Sequence, residues 1–332
     1  MIEKILENIY RIEVPLPENP LKSLNSYLIT GKERNLLIDT GFNREECLSA
    51  ILDAFQEVNA SLSDTDFFIT HLHADHSGLV ARLAGDDAAI YCSKLDGPIV
   101  NLLPDPEYWE DMADEFFRYG MPEPEKDPDK SEHPGWRFNG RKEISFTYVR
   151  DGEVISVGDY HLKCIWTPGH TPGHMCLYDE EKQLLFSGDH ILGDITPVIS
   201  IEKGLDNPLT LYLESLKKIK KLPVKTILTA HRRRVPDAHE RIAELERHHD
   251  LRLKEVIDIL KNTGKPMNAY EAASKMKWKT SCKDWSEFPR QQRWFATGEA
   301  AAHMLHLHQM GMVSKEFRDG TYRFAVETAS IL

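Results

Sequence analysis

Four side chains that can bind a metal ion lie within one short segment of this chain. The segment 70–76 reads Thr-His-Leu-His-Ala-Asp-His and follows the apolar residues 67–69. In extended backbone, residues two apart project to the same side, so the first two histidines are predicted to share one ion. A helix that starts near Ser77 would direct the aspartate and the third histidine toward a second ion. The predicted ligands are His71, His73, Asp75 and His76.

The chemistry of this segment favours a transition metal. Imidazole nitrogen and carboxylate oxygen suit zinc, and also iron or manganese. A polar loop with chance histidines is the alternative, but it does not account for four ligand-type residues in six positions. Histidine ligands must be neutral, so metal loss is expected as the pH falls below about 6.

Further ligand-type residues follow other predicted strands. Two Pro-Gly turns in the segment 167–174 hold two histidines on a tight loop, where a ligand can be fixed rigidly. Asp39 follows the apolar residues 36–38 and is predicted to orient a ligand histidine, although a strand-terminating turn is the alternative. The residues of this kind beyond the first segment are Asp39, His170, His174, Asp189, His190 and His231.

Short strands and amphipathic helices are predicted to position these residues. Apolar spacing of three and four residues predicts a helix over 44–58. Alternating or continuous apolar runs predict short strands, among them 8–16, 26–39, 154–157 and 160–166. Residues 104–136 differ, because prolines bracket an aromatic, acidic, helix-like segment. This insertion is interpreted as a lid over a pocket or, equally, as a surface excursion packed on the core.

Composition limits the class of protein. With 332 residues, 41% hydrophobic and 28% charged, the chain is expected to be a soluble globular protein of one large and one smaller domain, or of two medium ones. The net charge of -12 argues against broad binding to nucleic acid or anionic membranes. No apolar run approaches the ~18 residues of a membrane span. Five scattered cysteines and an N-terminus without a signal-like apolar centre predict a reduced, cytoplasmic protein.

These motifs resemble the metallo-β-lactamase superfamily. The matching pieces are the His-x-His-x-Asp-His segment, the first histidine of Thr-Pro-Gly-His, the aspartate after Ser-Gly, Leu-Ile-Asp-Thr-Gly at 37–41, and the histidine at 231. The resemblance covers about residues 8–235. It implies an α+β fold, a four-layer αβ/βα sandwich that forms a catalytic domain over 1–235 with its site at one edge. A smaller, mostly helical domain is expected over 236–332.

The resemblance also implies a dinuclear site. His71, His73 and His170 resemble the ligands of the first metal, and the second set is Asp75, His76 and His231. Asp189 resembles the carboxylate that bridges both ions, with zinc as the first expectation and iron or manganese as alternatives. Asp75 is the expected catalytic proton shuttle. His174 and His190 are interpreted as supporting residues, like Asp39.

The expected reaction is hydrolysis of a small ester, thioester or lactone by a metal-bridging hydroxide, as in the glyoxalase II and lactonase-like branch. The long interval between the first two ligand motifs argues against glutathione thioesters. Arg232, Arg233 and Arg234 follow the last ligand and are a candidate site for a substrate anion, although solvated arginines are the favoured interpretation. A small molecule is therefore the expected substrate, with no membrane partner.

The C-terminal region is predicted to resemble a winged-helix domain. Helices are expected over 236–263, 269–275 and 298–310, followed by two strands around the turn at 319–320. The last helix has no Lys or Arg, so domain docking or homodimer formation is favoured over nucleic-acid binding. Its three histidines are interpreted as packing residues, not as a second metal site.

Two other functions are weighed against the hydrolase. A metal-dependent ribonuclease or phosphodiesterase would use the same ligands, and a basic excess over 275–293 favours it. A non-catalytic metal-holding or regulatory protein would bind metal without a hydrolytic activity that depends on Asp75. Salt-dependent RNA binding and the effect of Asp75→Asn distinguish the three functions.

Overall fold

Two β-sheets pack face to face in this chain, which we describe from a computed structural model over residues 1–122 and 133–327. The first sheet has seven strands in sequence order, and the second has five in the order β12-β11-β10-β9-β8. The first contains β1 (Ile2–Leu6), β2 (Ile9–Pro15), β3 (Ser23–Ile29), β4 (Asn35–Ile38), β5 (Thr65–Phe68), β6 (Ile90–Ser93) and β7 (Thr147–Val149). The second contains β8 (Val154–Val157), β9 (Tyr160–Trp166), β10 (Met175–Asp179), β11 (Leu184–Gly188) and β12 (Thr226–Thr229).

Helices cover the outer face of each sheet. Alternate residues of a strand point to opposite faces: Leu37 packs toward α1, while Leu36 and Ile38 pack between the sheets. The described helices are α1 (Glu45–Glu57), α2 (Ala74–Ser77), α3 (Val80–Leu83), α4 (Asp96–Leu102), α5 (Pro106–Arg118), α6 (Pro134–Arg137), α7 (Pro208–Ile219), α8 (Ala238–Thr263), α9 (Ala269–Ala273) and α10 (Arg290–Gln309). The layers are therefore helix, sheet, sheet and helix, as expected.

The topology brings several strand ends to one edge. Strands β4 and β5 are parallel, and so are β11 and β12, so the loops that follow each pair leave from the same end. The loop between β9 and β10 also lies at this edge, because β10 is antiparallel to both β9 and β11. The predicted ligands are carried by these loops.

The C-terminal region shares a core with the second sheet. Helices α8 and α10 contribute Leu245 and Met304 to the same buried cluster as Leu185 of β11 and Tyr212 of α7. The region ends in an antiparallel pair, β13 (Val313–Arg318) and β14 (Thr321–Val326). The last helix thus packs against the elements of the second sheet, while the likeness to a winged-helix domain stays a prediction.

The prediction misses one strand and misplaces the start of two helices. Strand β1 is absent from the prediction, because charged residues interrupt its apolar ones; it pairs with β2 at the sheet edge. Helix α2 begins at Ala74 rather than near Ser77, so the aspartate and last histidine of the metal segment lie within the helix. Helix α10 begins at Arg290, eight residues before the predicted start at Gly298. That glycine lies inside the helix because it packs closely against Ser200.

The predicted insertion 104–136 lies partly outside the described residues, which omit 123–132. Its first half forms α5, which buries Trp109 and Phe116 in the main core. The Phe116 ring stacks on Trp294 of α10 with 3.6 Å between the ring centroids. This half is therefore packed on the core. No helix of the described ranges has the length and hydropathy needed to cross a membrane.

Candidate metal centre

The predicted ligands meet at the shared edge of the two sheets. Three overlapping groups have ligand atoms within 4.8 Å of one another: His71 with His73 and His170, His71 with His76 and Asp189, and Asp75 with His76 and His231. All seven residues predicted to bind metal belong to these groups. They come from four separate loops, so long-range strand pairing assembles the centre.

Asp189 lies between the two halves of this centre. Its Oδ2 is 3.6 Å from Nε2 of His170, and its Oδ1 is 3.6 Å from Nε2 of His76 and 3.5 Å from Nε2 of His231. One carboxylate oxygen therefore faces each half. Asp189 is thus near ligand nitrogens on both sides of the centre.

The outward nitrogens of four histidines have fixed hydrogen-bond partners. Nδ1 of His76 donates to Asp39 at 2.8 Å, and Nδ1 of His71 lies 3.0 Å from the Thr70 hydroxyl. Nδ1 of His170 donates to the carbonyl of Val198 at 2.7 Å, and that of His231 to the carbonyl of Ser23 at 2.8 Å. A neutral imidazole carries only one hydrogen, so the Nε2 atom of each ring presents a lone pair.

In the neutral form that binds metal, these rings direct their Nε2 lone pairs toward one another. Nε2 of His231 is 3.3 Å from Nε2 of His76, and Nε2 of His170 and Oδ1 of Asp189 are buried without hydrogen-bond partners. Buried acceptors that face one another are costly unless a cation lies among them. The donor set therefore fits metal ions of the class that binds imidazole and carboxylate.

The electrostatics of the centre also favour positive charge. Burial lowers the pKa of His170 to about 4, which keeps its ring neutral. Burial opposes ionisation of Asp75, but neighbouring His76 and His231 outweigh it and lower the pKa of Asp75 to about 2. Burial acts against protonation of His76, yet Asp39, Asp189 and Asp75 together raise its pKa well above the ordinary value. The carboxylates thus attract a cation to this place.

Asp39 contacts a predicted ligand as expected for an orienting residue. Its carboxylate accepts from Nδ1 of His76 and also from the backbone N–H of Thr70 at 2.9 Å and the Thr70 hydroxyl. Asp39 is buried, and its backbone φ of 60° lies in the left-handed region. The parallel pairing of β4 and β5 places it beside the metal segment.

His174 supports Asp189 rather than facing the centre. Its Nε2 accepts from the backbone N–H of Asp189 at 3.1 Å, and its Nδ1 donates to the Thr167 hydroxyl at 2.8 Å. The approach is close because Gly188 has φ of 50°, and an added Cβ there would lie 2.6 Å from Nε2 of His174. His190 is buried beside Tyr212, with 5.2 Å between the ring centroids. Among the residues that the structure describes, neither histidine belongs to a group that could hold metal.

Sequence reasoning missed Asp96, a buried residue at the start of α4. Its carboxylate accepts from the backbone N–H of Leu72 at 3.0 Å, the Thr171 hydroxyl at 2.6 Å and the backbone N–H of Gly173 at 2.6 Å. Asp96 therefore ties the loop of the first two histidines to the loop of His170. Burial raises its pKa to about 6 in spite of these bonds. An aspartate in the first turn of a helix gives no sequence signal for such a role.

The arginine run has other partners. Arg232 donates to the carbonyl of Pro20 at 2.6 Å, and Arg234 pairs with Glu3 at 2.8 Å. Arg233 is exposed. Anion binding by Arg232 or Arg234 would require these contacts to break, so the solvated or structurally paired interpretation remains the favoured one.

A four-layer sandwich with a histidine–aspartate centre at its edge defines a class of metal-dependent hydrolase folds. Comparison with known proteins agrees, since residues 20–231 match the metallo-beta-lactamase superfamily. The chain belongs to this superfamily of hydrolases.

Relatives cover different shares of the chain. The chain is 30% identical over 268 residues to the beta-lactamase-like protein 2 homolog of Caenorhabditis elegans, which is 78% of this chain and 73% of that protein. It is 25% identical over 223 residues to the atrochrysone carboxyl ACP thioesterase AacuM of Aspergillus aculeatus, covering 67% of this chain but only 55% of the relative.

A solved structure extends the likeness to the C-terminal region. A metallo-beta-lactamase family protein of Thermus thermophilus is 26% identical, with a TM-score of 0.81, over 98% of this chain and 100% of that one. The C-terminal helices and strand pair therefore belong to an arrangement that the two chains share.

Proposed function

We propose that this chain is a dinuclear metal-dependent hydrolase that acts on a small ester, thioester or lactone. The observation that carries the proposal is the position of Asp189, whose two oxygens face His170 on one side and His76 with His231 on the other. His71, His73 and His170 would hold one ion, and Asp75, His76 and His231 would hold the other. Zinc is the first expectation, with iron and manganese as alternatives.

The bound ions would supply a hydroxide near neutral pH and polarise the oxygen of the substrate. The protein's own groups would fix and shuttle the proton. The side chain of Asp75 is the most exposed of the three carboxylates at 13%, against 9% for Asp189 and 3% for Asp39. It is therefore the group that would accept a proton and pass it to the leaving group.

The centre is most exposed to solvent on the side where His73 lies. A third of the His73 side chain is exposed, whereas His71, His76 and His231 are fully buried. His133 is near enough to His73 that, after burial, the charge of His73 contributes to its lowered pKa. The His133 ring is 4.3 Å from Trp109 and 6.1 Å from Phe295, between ring centroids. Such rings suit a carbon-rich acyl group, which supports an acyl substrate, as does the thioesterase among the relatives.

The test is metal analysis followed by a hydrolysis screen. Purified protein is expected to hold two ions per chain and to hydrolyse an aryl ester, an acyl thioester or a lactone. Asp75→Asn is expected to lower kcat by about 10²–10⁴-fold. Metal binding without any hydrolysis that responds to this change would instead identify a non-catalytic metal-holding protein.

The second candidate is a metal-dependent ribonuclease or phosphodiesterase that uses the same centre. One observation favours it: Lys275, Lys277, Lys279 and Lys283 are all exposed. Single-stranded RNA and a phosphodiester therefore belong in the screen. RNA binding that weakens with salt, together with cleavage, would replace the acyl substrate by a nucleic acid.

A further inference from the structure

One histidine of the centre differs from the others in how its outer nitrogen is held. Four rings have a direct acceptor or hydroxyl at hydrogen-bond distance from Nδ1, supplied by Thr70, Asp39, Val198 and Ser23. Outer partners of this kind orient a metal-binding ring and fix its tautomer. His73 is the fifth histidine of the predicted ligand set.

His73 is turned the other way round. Its Nδ1 lies 3.1 Å from Nε2 of His71, on the inner side of the centre, so its Nε2 points outward. The nearest carboxylate to that nitrogen in the described contacts is Glu202, with 3.9 Å between Oε1 and Nε2. The Glu202 side chain is 18% exposed, so most of it is enclosed by protein. A direct bond has a length of ~2.7–3.2 Å, so the Glu202 carboxylate must rotate toward the ring to form one.

We propose that Glu202 is a positioning residue, which accepts the Nε2 hydrogen of His73 and so holds this ring for the metal. The proposal rests on the metal centre of the proposed function. With this bond, all five histidines would have a partner for the outer ring nitrogen, and the partner of His73 would be a charged carboxylate. Charge-assisted bonds are roughly twice as strong as neutral ones, which suits the ring that is most exposed to water.

The segment that carries Glu202 is held firmly from both ends. Ile199 and Ile201 are buried in the main core, and the carbonyl of Val198 accepts from Nδ1 of His170. Glu202 itself forms an isolated β-bridge with Leu205. One short segment, 198–202, would therefore support two of the three ligands of the first ion.

Helices from outside the sandwich fix this segment. Lys203 pairs with Asp111 of α5. Ser200 packs against Gly298 of α10, where an added Cβ would overlap Ser200 Oγ and lie 3.0 Å from Ser200 Cβ. This close approach explains why a glycine lies inside α10. It also gives the C-terminal region a part in the centre, through segment 198–202.

The experiment measures metal affinity in the full-length chain. Zinc affinity is determined by competition with a chromophoric chelator, and the ligand field by the absorption spectrum of the cobalt(II) form. The variants are Glu202→Ala, Glu202→Gln and the matched control Glu181→Ala, an exposed glutamate in the turn before β11. Thermal unfolding of each variant checks that the chain is folded.

Glu202→Ala is expected to weaken the binding of one of the two ions by about 10–100-fold and to alter the cobalt spectrum. Glu202→Gln keeps an oxygen that can accept from His73, so a smaller loss is expected, and Glu181→Ala is expected to match the wild type. Unchanged affinity and spectrum in Glu202→Ala would overturn the proposal, even if activity fell, because the carboxylate would then act on the substrate. A wild-type chain that binds no metal would overturn the metal centre as well, so the two failures are distinguishable.

Discussion

Two groups of buried histidines lie in this chain, one at the sheet edge and one between α8 and α10. In the second group, Nδ1 of His249 lies 3.2 Å from Nε2 of His303, and Nδ1 of His303 donates to the carbonyl of Glu299 at 2.7 Å. In each of these two contacts, a ring N–H group donates to a nitrogen or oxygen acceptor. At the sheet edge the Nε2 atoms of His76 and His231 face each other at 3.3 Å while both Nδ1 hydrogens are used elsewhere.

Carboxylates make the second difference. Asp75 and Asp189 lie among the rings of the first group. In the second group the nearby carboxylate of Glu299 is instead paired with Arg252 at 3.2 Å. Within the described ranges, every group that could hold a metal lies at the sheet edge. Clustering of histidines therefore does not by itself identify a metal centre. The positions of the ring hydrogens and the presence of carboxylates among the rings identify it.

The largest effect is expected from removing the Asp189 carboxylate, which lies among the histidines at the sheet edge. Asp189→Ala is expected to lower kcat/KM by about 10³-fold or more, since a metal centre supplies several kcal/mol of stabilisation. Metal analysis should find fewer than two ions per chain. The matched change in the second group, His303→Gln, is expected to keep both ions and a kcat/KM close to wild type. Loss of metal in His303→Gln would contradict the distinction drawn here.

A packing change tests whether the C-terminal region reaches the first group. Gly298→Ala forces a Cβ against Ser200, and overpacking of this kind costs about 1–3 kcal/mol. We expect weaker metal binding because segment 198–202 must move, together with a lower Tm. The double variant Gly298→Ala/Ser200→Gly restores the space and is expected to recover both. If Tm recovered but metal affinity did not, the packing of α10 against Ser200 would not be what controls metal binding.

Asp96 provides a further test, because its carboxylate lies near the first group and already accepts hydrogen bonds from other residues. Asp96→Asn replaces an acceptor by an amide that cannot accept from all three donors, so one buried N–H or hydroxyl is left unpaired. The expected cost is about 1–3 kcal/mol of the free energy of unfolding. Denaturant unfolding measures it, with two ions still bound at saturating metal. An unchanged stability would mean that the two loops do not depend on this link.

The second group is expected to respond to pH. Burial lowers the pKa of His303 to about 3, whereas the unfolded chain binds the proton near its ordinary value of about 6.5. The unfolded state therefore holds more protons between these values, and stability is lost as the pH falls from about 6.5 toward 3. The fall in Tm between pH 7 and pH 5 should be shallower in His303→Gln, by the equivalent of about 1–2 kcal/mol.

The control for this pH effect is His239→Gln, which changes an exposed histidine at the start of α8. Its slope of Tm against pH is expected to match the wild type, since the centre's own histidines titrate equally in both chains. A slope in His303→Gln as steep as that of the control would show that the buried pair takes no part in acid sensitivity.

Much of the fold followed from local patterns. The strands β8 and β9 and the β13/β14 pair have apolar alternation or a turn signal, and helix α1 has apolar residues at helical spacing. Strand β1 was missed because its pairing with β2 compensates for its charges. The start of α10 was missed because a glycine near a helix end and a glycine required by a neighbouring Ser200 look the same in one dimension.

The sequence by itself determined the ligand types and their order. Four ligand-type residues in segment 70–76 and further ones at strand ends leave a local signal that needs no tertiary contact. Only the tertiary structure decided which nitrogen of each ring faces inward, that Asp96 joins two loops, and that Glu202 lies beside His73. The physical reason is that these contacts join Asp96 to Leu72, Thr171 and Gly173, and Glu202 to His73, which are all at least 24 positions away in the chain. Their pairing depends on how the strands and helices pack and leaves no periodic trace in the sequence.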